Sequence, residues 1–599
     1  MLRIAIAQFK PLKGAYQDNL ARLGEVFRGF ADDAEPPDLV ILPETALTGY
    51  FVEGAVRELA RSAEDFFADL AALHANSGAP PFDIAVGFYE LWRTRLHNSA
   101  LFATLGGPDA GILHVHRKVF LPTYGVFDEE RFVEPGRTVR AFDTRWGRAA
   151  VIICEDAWHS LVPAIAALDG AQLLVIVSAS PARGLLPEEG GEERPASLLR
   201  WERTIQAIAG EHGMYVALAQ LVGFEGGKAF PGGSLVAGPR GDVLARARVF
   251  EDDLLRVTVD LDEIPRVRAD LPLLSDLEVR LPHLLDELAG RPRATDQGDG
   301  GGPRHLVGAA GRLPAARPPQ PARLGARPDP LAIDPELTRR WLVEFLRDEV
   351  VRRRKFTRVV VGVSGGVDSA VVAHLAALAL GPEHVVALRM PYRASSPDSL
   401  SHAAMVIEAL GLQSETIDIT GGVDGLSKAL PDAPDPARLG NMCARMRMIT
   451  LFDRSAALGA LPLGTGNKTE RLFGYFTWHA DDTPPVNPIG DLFKSQVWAL
   501  ARALGVPSAI VDKVPTADLA PGQTDEGDFG ISYAKADTIL HWLLMGYAAE
   551  AIAAMGFTRD EVELVRRRLD STHWKRKLPT VAMVSQTAIG EYYLRPVDY

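Results

Sequence analysis

Short apolar runs and amphipathic stretches alternate along the chain, and their periods predict strands and helices. In the first half, the apolar runs predict β-strands at 3–8, 39–42, 84–88, 149–153, 173–177 and 215–219, with helices at 19–30 and 196–210. In the second half, apolar runs at 359–363, 384–390 and 415–419 alternate with helical stretches, which is typical of a parallel sheet. We therefore predict two α/β domains of different construction.

A change in composition separates the two halves. Residues 286–331 are rich in glycine, proline, alanine and arginine and carry no helical or strand period, which predicts a linker. The arginines of this segment suit either a solvated connector or contact with an acidic surface. The predicted domains are residues 1–285 and 332–599, because a chain of 599 residues exceeds what one hydrophobic core holds.

The bulk composition excludes several classes of protein. Hydrophobic residues make up 47% of the chain and charged residues 24%, which is ordinary for a globular protein. The formal net charge of -13 argues against a general binder of nucleic acid or of membrane surfaces. No apolar run approaches the ~20 residues that cross a bilayer, and no signal-peptide pattern opens the chain. Two distant cysteines, Cys154 and Cys443, do not form a disulfide framework, so we expect a cytoplasmic protein.

Three strand-like segments of the first half end in side chains that carry chemistry. DLVILPE ends in Glu44, GILHVHRKVFL contains Lys118, and AAVIICED contains Cys154. A thiol becomes a good nucleophile when it loses its proton, which a nearby ammonium favours and a carboxylate accepts. Lys118 and the backbone N–H after Cys154 would stabilise an oxyanion. A cysteine after an apolar strand is more often a small buried hydrophobe, but the three segments together predict amide cleavage.

These segments resemble a known family. LPETALTGY, HRKVFLPTYGVFDEERFVEPG and CEDAW are similar to the three signature segments of the nitrilase (carbon–nitrogen hydrolase) superfamily, over roughly residues 1–280. The resemblance implies an α-β-β-α sandwich with Cys154 as nucleophile, Glu44 as general base and Lys118 as oxyanion stabiliser. It further implies Glu129 as a second acid, and Tyr124, Ser180 and Arg183 as residues that bind glutamine.

The second half opens on a glycine-rich loop in VVVGVSGGVDSAV, residues 359–371. Ser364, Gly365 and Gly366 would present backbone N–H groups to phosphate at a helix N-terminus. The lysine of a Walker loop is absent. Asp368 would repel a phosphate unless Mg²⁺ bridges the two, since that cation prefers oxygen ligands. A plain tight turn is the alternative for such a loop.

The loop resembles that of the N-type ATP pyrophosphatases, which adenylate their substrates and release pyrophosphate. The downstream segments NMCARMRM, GTGNKTE, GYFT, NPIGDLFK, KVPTADLAPGQTDE and HWKRKLP are similar to those of the NAD synthetases, over roughly residues 334–599. The resemblance implies ATP-binding residues Gly362, Ser364, Gly365, Gly366, Asp368, Ser369, Thr465, Lys494 and Thr516. It implies that deamido-NAD is bound by Asn441, Arg445, Glu470, Tyr475, Thr477, Trp478 and Lys575, and that Mg²⁺ is held by Asp368 and Glu470. The chain departs from the family pattern at Ala480, Pro485 and Ser495.

The two halves together resemble the glutamine-dependent NAD synthetases. That resemblance implies ATP-dependent amidation of deamido-NAD with ammonia from glutamine, giving NAD, AMP, pyrophosphate and glutamate. It also implies an enclosed passage for ammonia and a homo-oligomer formed through the synthetase domain. The partners would be small-molecule substrates, with no nucleic acid and no membrane. Two alternatives remain open, namely an amidating ATP pyrophosphatase that acts on another acceptor such as a tRNA, and an inert hydrolase fold that serves as a scaffold.

Overall fold

The computed structural model of the chain describes residues 1–52, 55–185, 194–290, 329–516 and 524–576. By their contacts, residues 1–184 with 194–290 form one unit, and residues 329–516 with 524–576 form a second. Most of the predicted linker, residues 291–328, lies outside the described residues.

The first unit contains fourteen described strands and seven described helices. The strands are β1 (Leu2–Gln8), β2 (Leu39–Ile41), β3 (Phe82–Trp92), β4 (Arg95–Leu105), β5 (Gly111–Arg117), β6 (Ala141–Thr144), β7 (Gly147–Ile153), β8 (Leu173–Ser178), β9 (Tyr215–Gln220), β10 (Val222–Glu225), β11 (Lys228–Pro231), β12 (Leu235–Ala237), β13 (Val243–Arg246) and β14 (Asp253–Val259). The helices are α1 (Tyr16–Arg28), α2 (Val56–Leu59), α3 (Ala63–Ala75), α4 (Leu161–Leu168), α5 (Ala196–His212), α6 (Glu263–Asp270) and α7 (Leu273–Ala289).

Two six-stranded sheets form the centre of this unit, in the orders β14-β1-β2-β3-β4-β5 and β13-β12-β9-β8-β7-β6. Their inner faces share one apolar core, in which Ile4 and Ile6 pack with Val151 and Val175. Helices α1 and α3 cover the outer face of the first sheet, and α4 and α5 pack on the second. Strand β8, LLVIVS, is buried along its whole length because it lies inside a sheet covered on both faces. The predicted α-β-β-α sandwich is confirmed.

The second unit is built on a smaller sheet. Its strands are β15 (Val359–Gly362), β16 (Val385–Arg389), β17 (Gln413–Thr416) and β18 (Leu461–Leu463). Its helices are α8 (Pro335–Leu346), which continues as a π-helix over Arg347–Arg353, α9 (Val367–Leu380), α10 (Pro397–Leu410), α11 (Thr420–Ala429), α12 (Pro436–Leu458), α13 (Lys468–Phe473), α14 (Lys494–Ala503), α15 (Ser508–Val511), α16 (Asp525–Phe529), α17 (Tyr533–Leu544), α18 (Ala549–Ala553) and α19 (Arg559–Ser571).

The four strands of this sheet are parallel, in the order β17-β16-β15-β18. Successive side chains of β15 point to opposite faces, as the two-residue period of a strand requires. Val359 and Val361 pack with helices α8, α9 and α14, whereas Val360 packs with Leu451 of α12. Helices on both faces of a parallel sheet make the doubly wound arrangement that the sequence predicts.

Within the described part of the chain, no helix combines the length and the apolar character that crossing a membrane requires.

Gly87 allows strand β3 to pack closely against the turn that follows β2. Gly87 of β3 lies against the turn after β2, where an added Cβ atom would sit 2.5 Å from Cα of Glu44. We predict that G87A lowers the free energy of unfolding of the first unit by about 1–3 kcal/mol, because backbone must move to admit the methyl group. Hydrogen exchange of peptides from β2 and β3, followed against denaturant concentration, would measure this loss of stability. G111A is the matched control, because a Cβ there meets nothing within 4 Å, and equal costs for both variants would contradict the prediction.

Candidate active sites

Cys154 stands at a strained turn at the end of β7. It begins a short 3₁₀ helix, Cys154–Trp158, with a φ of 43°, which lies in the left-handed region that side chains other than glycine rarely adopt. The Ser178 hydroxyl, at the end of β8, donates a hydrogen bond to the Cys154 sulfur at 3.3 Å. Strain of this kind is maintained only where the surrounding structure fixes it, and such places cluster at functional sites.

Four buried side chains form a closed hydrogen-bonded ring in the same unit. The Lys118 ammonium donates to Oε1 of Glu44 and to Oε1 of Glu129, both at 2.8 Å. The Asn98 amide donates to the same two oxygens, at 2.7 Å to Glu44 and 3.2 Å to Glu129. Two donors therefore alternate with two acceptors, and the ring holds one ammonium and two carboxyl groups away from water. Burial and the Glu44 charge raise the pKa of the Glu129 carboxyl, with Lys118 opposing them.

The ring and the cysteine are joined through the end of β8. The N–H of Ala179 donates to Oε2 of Glu44 at 2.7 Å, while the preceding residue, Ser178, bonds the Cys154 sulfur. The structure thus brings Glu44, Lys118, Glu129 and Cys154 together around strand ends that are far apart in sequence.

The charges of this site keep the thiol protonated at rest. Burial and the Glu44 charge raise the pKa of the Cys154 thiol, and the Lys118 ammonium only partly offsets them. Burial disfavours the charged form of Lys118, but Glu129 and Glu44 outweigh it and raise the Lys118 pKa well above its usual range. The sequence suggested that the lysine favours a thiolate. Two carboxylates occupy that lysine, so the thiol must give up its proton during attack.

Of the three residues implied for glutamine, Tyr124 and Arg183 are exposed, whereas Ser180 is half-buried. The Tyr124 hydroxyl donates to Glu155 at 2.8 Å. A Cβ atom added at Gly125 would lie 2.9 Å from Nη2 of Arg183, so the Arg183 guanidinium packs against the Tyr124 loop. The Ser180 N–H donates to the Gln220 side chain at 3.4 Å. Tyr124 and Arg183 are therefore neighbours, and Ser180 follows the segment that contacts Cys154.

Sequence reasoning missed several residues of this site. Asn98 belongs to the ring, Tyr50 donates to Glu129, and Asp156 accepts from the N–H groups of Val119 and Phe120 beside Lys118. Asn98 gave little signal in the sequence, because it lies in the polar first half of strand β4, next to His97 and Ser99.

The glycine loop of the second unit has the tight geometry that its sequence suggests. Gly365 has a φ of 79°, and an added Cβ would lie 2.2 Å from the Ser399 carbonyl oxygen, so only glycine fits there. The Ser369 hydroxyl accepts from the Ser364 N–H at 3.2 Å and donates to the Gly366 carbonyl at 3.0 Å, which closes the turn. The N-terminus of α9 follows directly, and helix N-termini attract phosphate.

A buried lysine and two carboxylates also meet here. The Lys494 ammonium donates to Asp368, and the Asn467 amide donates to the other oxygen of Asp368 at 3.1 Å. Asn467 caps α13 and exchanges two hydrogen bonds with Glu470. Burial and the Asp368 charge raise the pKa of Glu470 to about 8, with Lys494 opposing them.

Asp368, Glu470 and Lys494 line a cavity of about 350 Å³, a size typical of small-molecule sites. Among the predicted residues, it is lined by Gly362, Ser364, Gly366, Asp368, Ser369, Thr465, Glu470, Tyr475, Thr477, Lys494 and Thr516. Five lining residues that the sequence did not assign have ionisable side chains, namely Arg389, Arg447, Asp481, Lys513 and Asp525. Arg389 ends strand β16, the position where parallel sheets collect ligand-binding groups.

Four residues implied for deamido-NAD stand outside the lining of this cavity. Asn441 accepts from the Thr477 hydroxyl at 2.9 Å, and Arg445 donates to the Trp478 carbonyl at 3.3 Å. The Lys575 ammonium donates to the Gly474 and Phe476 carbonyls, at 2.7 and 2.8 Å. All four therefore gather around the GYFT segment, and Lys575 holds its backbone.

The donor set fits one Mg²⁺ ion bound with a nucleotide. Among the described residues, no group of three or more His, Cys, Asp or Glu side chains is arranged to hold a metal ion. Mg²⁺ commonly takes one or two carboxylates and completes its shell with phosphate oxygens and water, which Asp368 and Glu470 allow. Asp525 also lines the cavity, and its Oδ1 is buried with no partner in the described structure, as expected where a cationic ligand is to bind.

Comparisons with known proteins agree with this division. The family model of carbon-nitrogen hydrolases matches residues 3–269, and that of NAD synthases matches residues 339–579. The NH(3)-dependent NAD(+) synthetase of Trichlorobacter lovleyi is 47% identical over 271 residues, 45% of this chain and 98% of that protein. That of Chlorobaculum parvum is 46% identical over 264 residues, 44% of this chain and 95% of the relative.

Two solved structures share the fold of the whole chain. The glutamine-dependent NAD+ synthetase of Acinetobacter baumannii has a TM-score of 0.69 at 22% identity, and covers 100% of this chain and 98% of its own. That of Cytophaga hutchinsonii has a TM-score of 0.66 at 16% identity, and covers 96% of this chain and 93% of its own.

Fold and sites define an amide-cleaving domain fused to a nucleotide-binding domain. The chain belongs to the NAD synthetase family, and its architecture is that of a glutamine-dependent NAD+ synthetase.

Loss of the Lys118 ion pairs is expected to destabilise the first unit strongly. We predict that K118M lowers the free energy of unfolding of the first unit by about 3–5 kcal/mol, because it leaves two buried carboxylates without their cation. E129Q in the same chain should recover part of that loss, since it removes one of the two charges. Denaturant unfolding of K118M, E129Q and the double variant gives a double-mutant cycle. If the losses in free energy of unfolding simply add, the prediction is contradicted.

The glycine loop gives a second prediction. G365A should weaken ATP binding roughly tenfold or more, because both the positive φ and the Ser399 carbonyl oppose a methyl group. Calorimetric titration with ATP and Mg²⁺ measures the affinity. G421A, where a Cβ meets nothing within 4 Å, is the control. Unchanged affinity in G365A would show that the loop does not bind the nucleotide.

Proposed function

We propose that the protein makes NAD from deamido-NAD, ATP and glutamine. One observation carries the proposal. A buried Cys–Glu–Lys site and a glycine-loop cavity with a Lys–Asp pair lie on the same chain. The NAD synthetase relatives are named for an NH(3)-dependent reaction, and the fused hydrolase domain would supply that ammonia from glutamine.

In the first site, Cys154 attacks the glutamine side-chain amide while Glu44 takes the thiol proton. Lys118 donates two of its three hydrogens to carboxylates, which leaves one to stabilise the oxyanion together with the backbone N–H after Cys154. Glu44 then gives that thiol proton to the amide nitrogen, the C–N bond breaks, and the nitrogen departs as ammonia, leaving a glutamyl thioester on Cys154. Water, activated by Glu44, then hydrolyses the thioester to glutamate, while Glu129 holds Lys118. Tyr124, Ser180 and Arg183 bind glutamine, with Ser180 and Arg183 at its amino-acid end.

In the second site, the nicotinate carboxylate of deamido-NAD attacks the α-phosphorus of ATP and releases pyrophosphate. Ammonia then displaces AMP and forms the amide of NAD. The adenylation is necessary because the oxygen of a free carboxylate is a poor leaving group. The glycine loop, with Gly362, Gly365, Ser369, Thr465 and Thr516, binds ATP, and Lys494 neutralises the phosphate charge.

Asp368 and Glu470 hold Mg²⁺, which neutralises the negative charge of the nucleotide phosphates. Deamido-NAD is bound by Asn441, Arg445, Glu470, Tyr475, Thr477, Trp478 and Lys575. The cytoplasmic location and the homo-oligomer, like the roles of individual residues, stay predictions.

Replacement of the nucleophile tests the proposal. C154A should lose NAD synthesis with glutamine by at least about 10³-fold, while synthesis with ammonium persists, because the second site is intact. NAD, AMP and glutamate are measured together by mass spectrometry. C443A is the matched control, as the other buried cysteine is not assigned to either reaction. Equal loss with both nitrogen sources would reject two separate sites, and an amidated product other than NAD would reject the acceptor.

A further inference from the structure

Asn98 is placed beside Lys118 by the pairing of strands. It lies on β4, and its carbonyl oxygen accepts a hydrogen bond from the Lys118 N–H at 2.9 Å, just beyond the end of β5. Its side chain is buried, with 1% of the residue exposed. The two residues therefore present their side chains to the same carboxylates from adjacent strands.

The orientation of the Asn98 amide follows from chemistry. Its nitrogen donates to one oxygen of Glu44 and one of Glu129. The reverse orientation would set the amide oxygen against two carboxylate oxygens, and an ionised carboxylate can only accept hydrogen bonds. Because the amide is neutral, it stabilises both carboxylates without adding charge, whereas a second lysine would cancel the remaining negative charge of the ring.

The other ionisable groups around the ring do not take the place of the Asn98 amide as a donor to Glu44. Tyr50 donates to Glu129, and burial followed by the Glu129 charge raises the pKa of both Tyr50 and Tyr89, so both stay neutral. Cys154 supplies the proton that Glu44 must accept. Lys118 is thus the ring's one cation within the described residues, and Asn98 is its one side-chain amide donor.

We propose that Asn98 is a positioning residue for glutamine hydrolysis, whose amide donates to Glu44 and orients that carboxylate to accept the Cys154 proton. The inference rests on the proposed function of the first site and adds a residue that none of the three signature segments contains. It does not depend on the second site.

The buried environment of Asn98 offers a variant that separates this role from folding. Its Oδ1 has no hydrogen-bond partner among the residues described, although it is buried. N98L has nearly the same shape, removes the donor and also removes this unsatisfied acceptor, so it should fold. N98D keeps the shape and adds a third carboxylate.

We expect kcat for glutamate release by N98L to fall about 100-fold at neutral pH. KM for glutamine should change less than about threefold, and ammonium-driven NAD synthesis should be unchanged. The acid limb of kcat/KM for glutamine should move to higher pH, because the two carboxyl groups of the ring lose a neutral donor that favours their ionised forms. N98D should move the limb further in the same direction.

S99A is the matched control, because Ser99 is the next residue of β4 and donates to Glu90 at 2.7 Å, outside the ring. It should keep the wild-type pH profile. A wild-type profile in N98L, or the same shift in S99A, would overturn the proposal.

The rate at which iodoacetamide alkylates Cys154, followed by peptide mass spectrometry against pH, provides a readout that does not require turnover. If the wild-type protein released no glutamate, the proposed function would fail. A shift of the alkylation profile in N98L and not in S99A would still support the role of Asn98, and its absence would reject it.

Discussion

The buried Lys118 ammonium is the interaction on which the first site depends. It stands between Glu44 and Glu129, at 2.8 Å from an oxygen of each, with no access to water. Each of the three charges would be costly to bury alone, so any one of them requires the others. Asn98 completes the ring without changing its charge. The site is therefore rigid before substrate arrives, which is what preorganised catalysis requires.

The second unit also stabilises a buried lysine–carboxylate pair, on different strands and helices. Lys494 pairs with Asp368, and an asparagine, Asn467, again donates to the carboxylate and connects it to a glutamate, Glu470. Asp368, Glu470 and Lys494 of this arrangement line an open cavity at the end of a parallel sheet. The reactive groups of the first site are buried, as suits a covalent step on a small amide. The second site has a cavity with room for a nucleotide and its cation.

The resting thiol explains why the glutaminase residues must act together. Burial and the Glu44 charge raise the pKa of Cys154, so the sulfur is not a standing thiolate. Its left-handed backbone conformation and the Ser178 hydrogen bond fix its position in advance. Reactivity then depends on proton transfer to Glu44 during attack, which limits reaction with solvent-borne electrophiles and links the chemistry to a bound substrate.

Periodicity and signature segments were sufficient to predict the two α/β domains, the family, and the set Glu44, Lys118 and Cys154, because apolar runs are local and motifs are contiguous. The glycine loop was equally clear, since a positive φ at Gly365 is a local requirement. Asn98 and Asn467 were not predicted, because an asparagine in a strand or at a helix cap has many ordinary roles. Only the tertiary structure brings each within hydrogen-bonding distance of carboxylates that lie 54 and 99 residues away. The sequence by itself determined which groups carry charge, and the packing of strands and helices decided which of those charges neutralise one another.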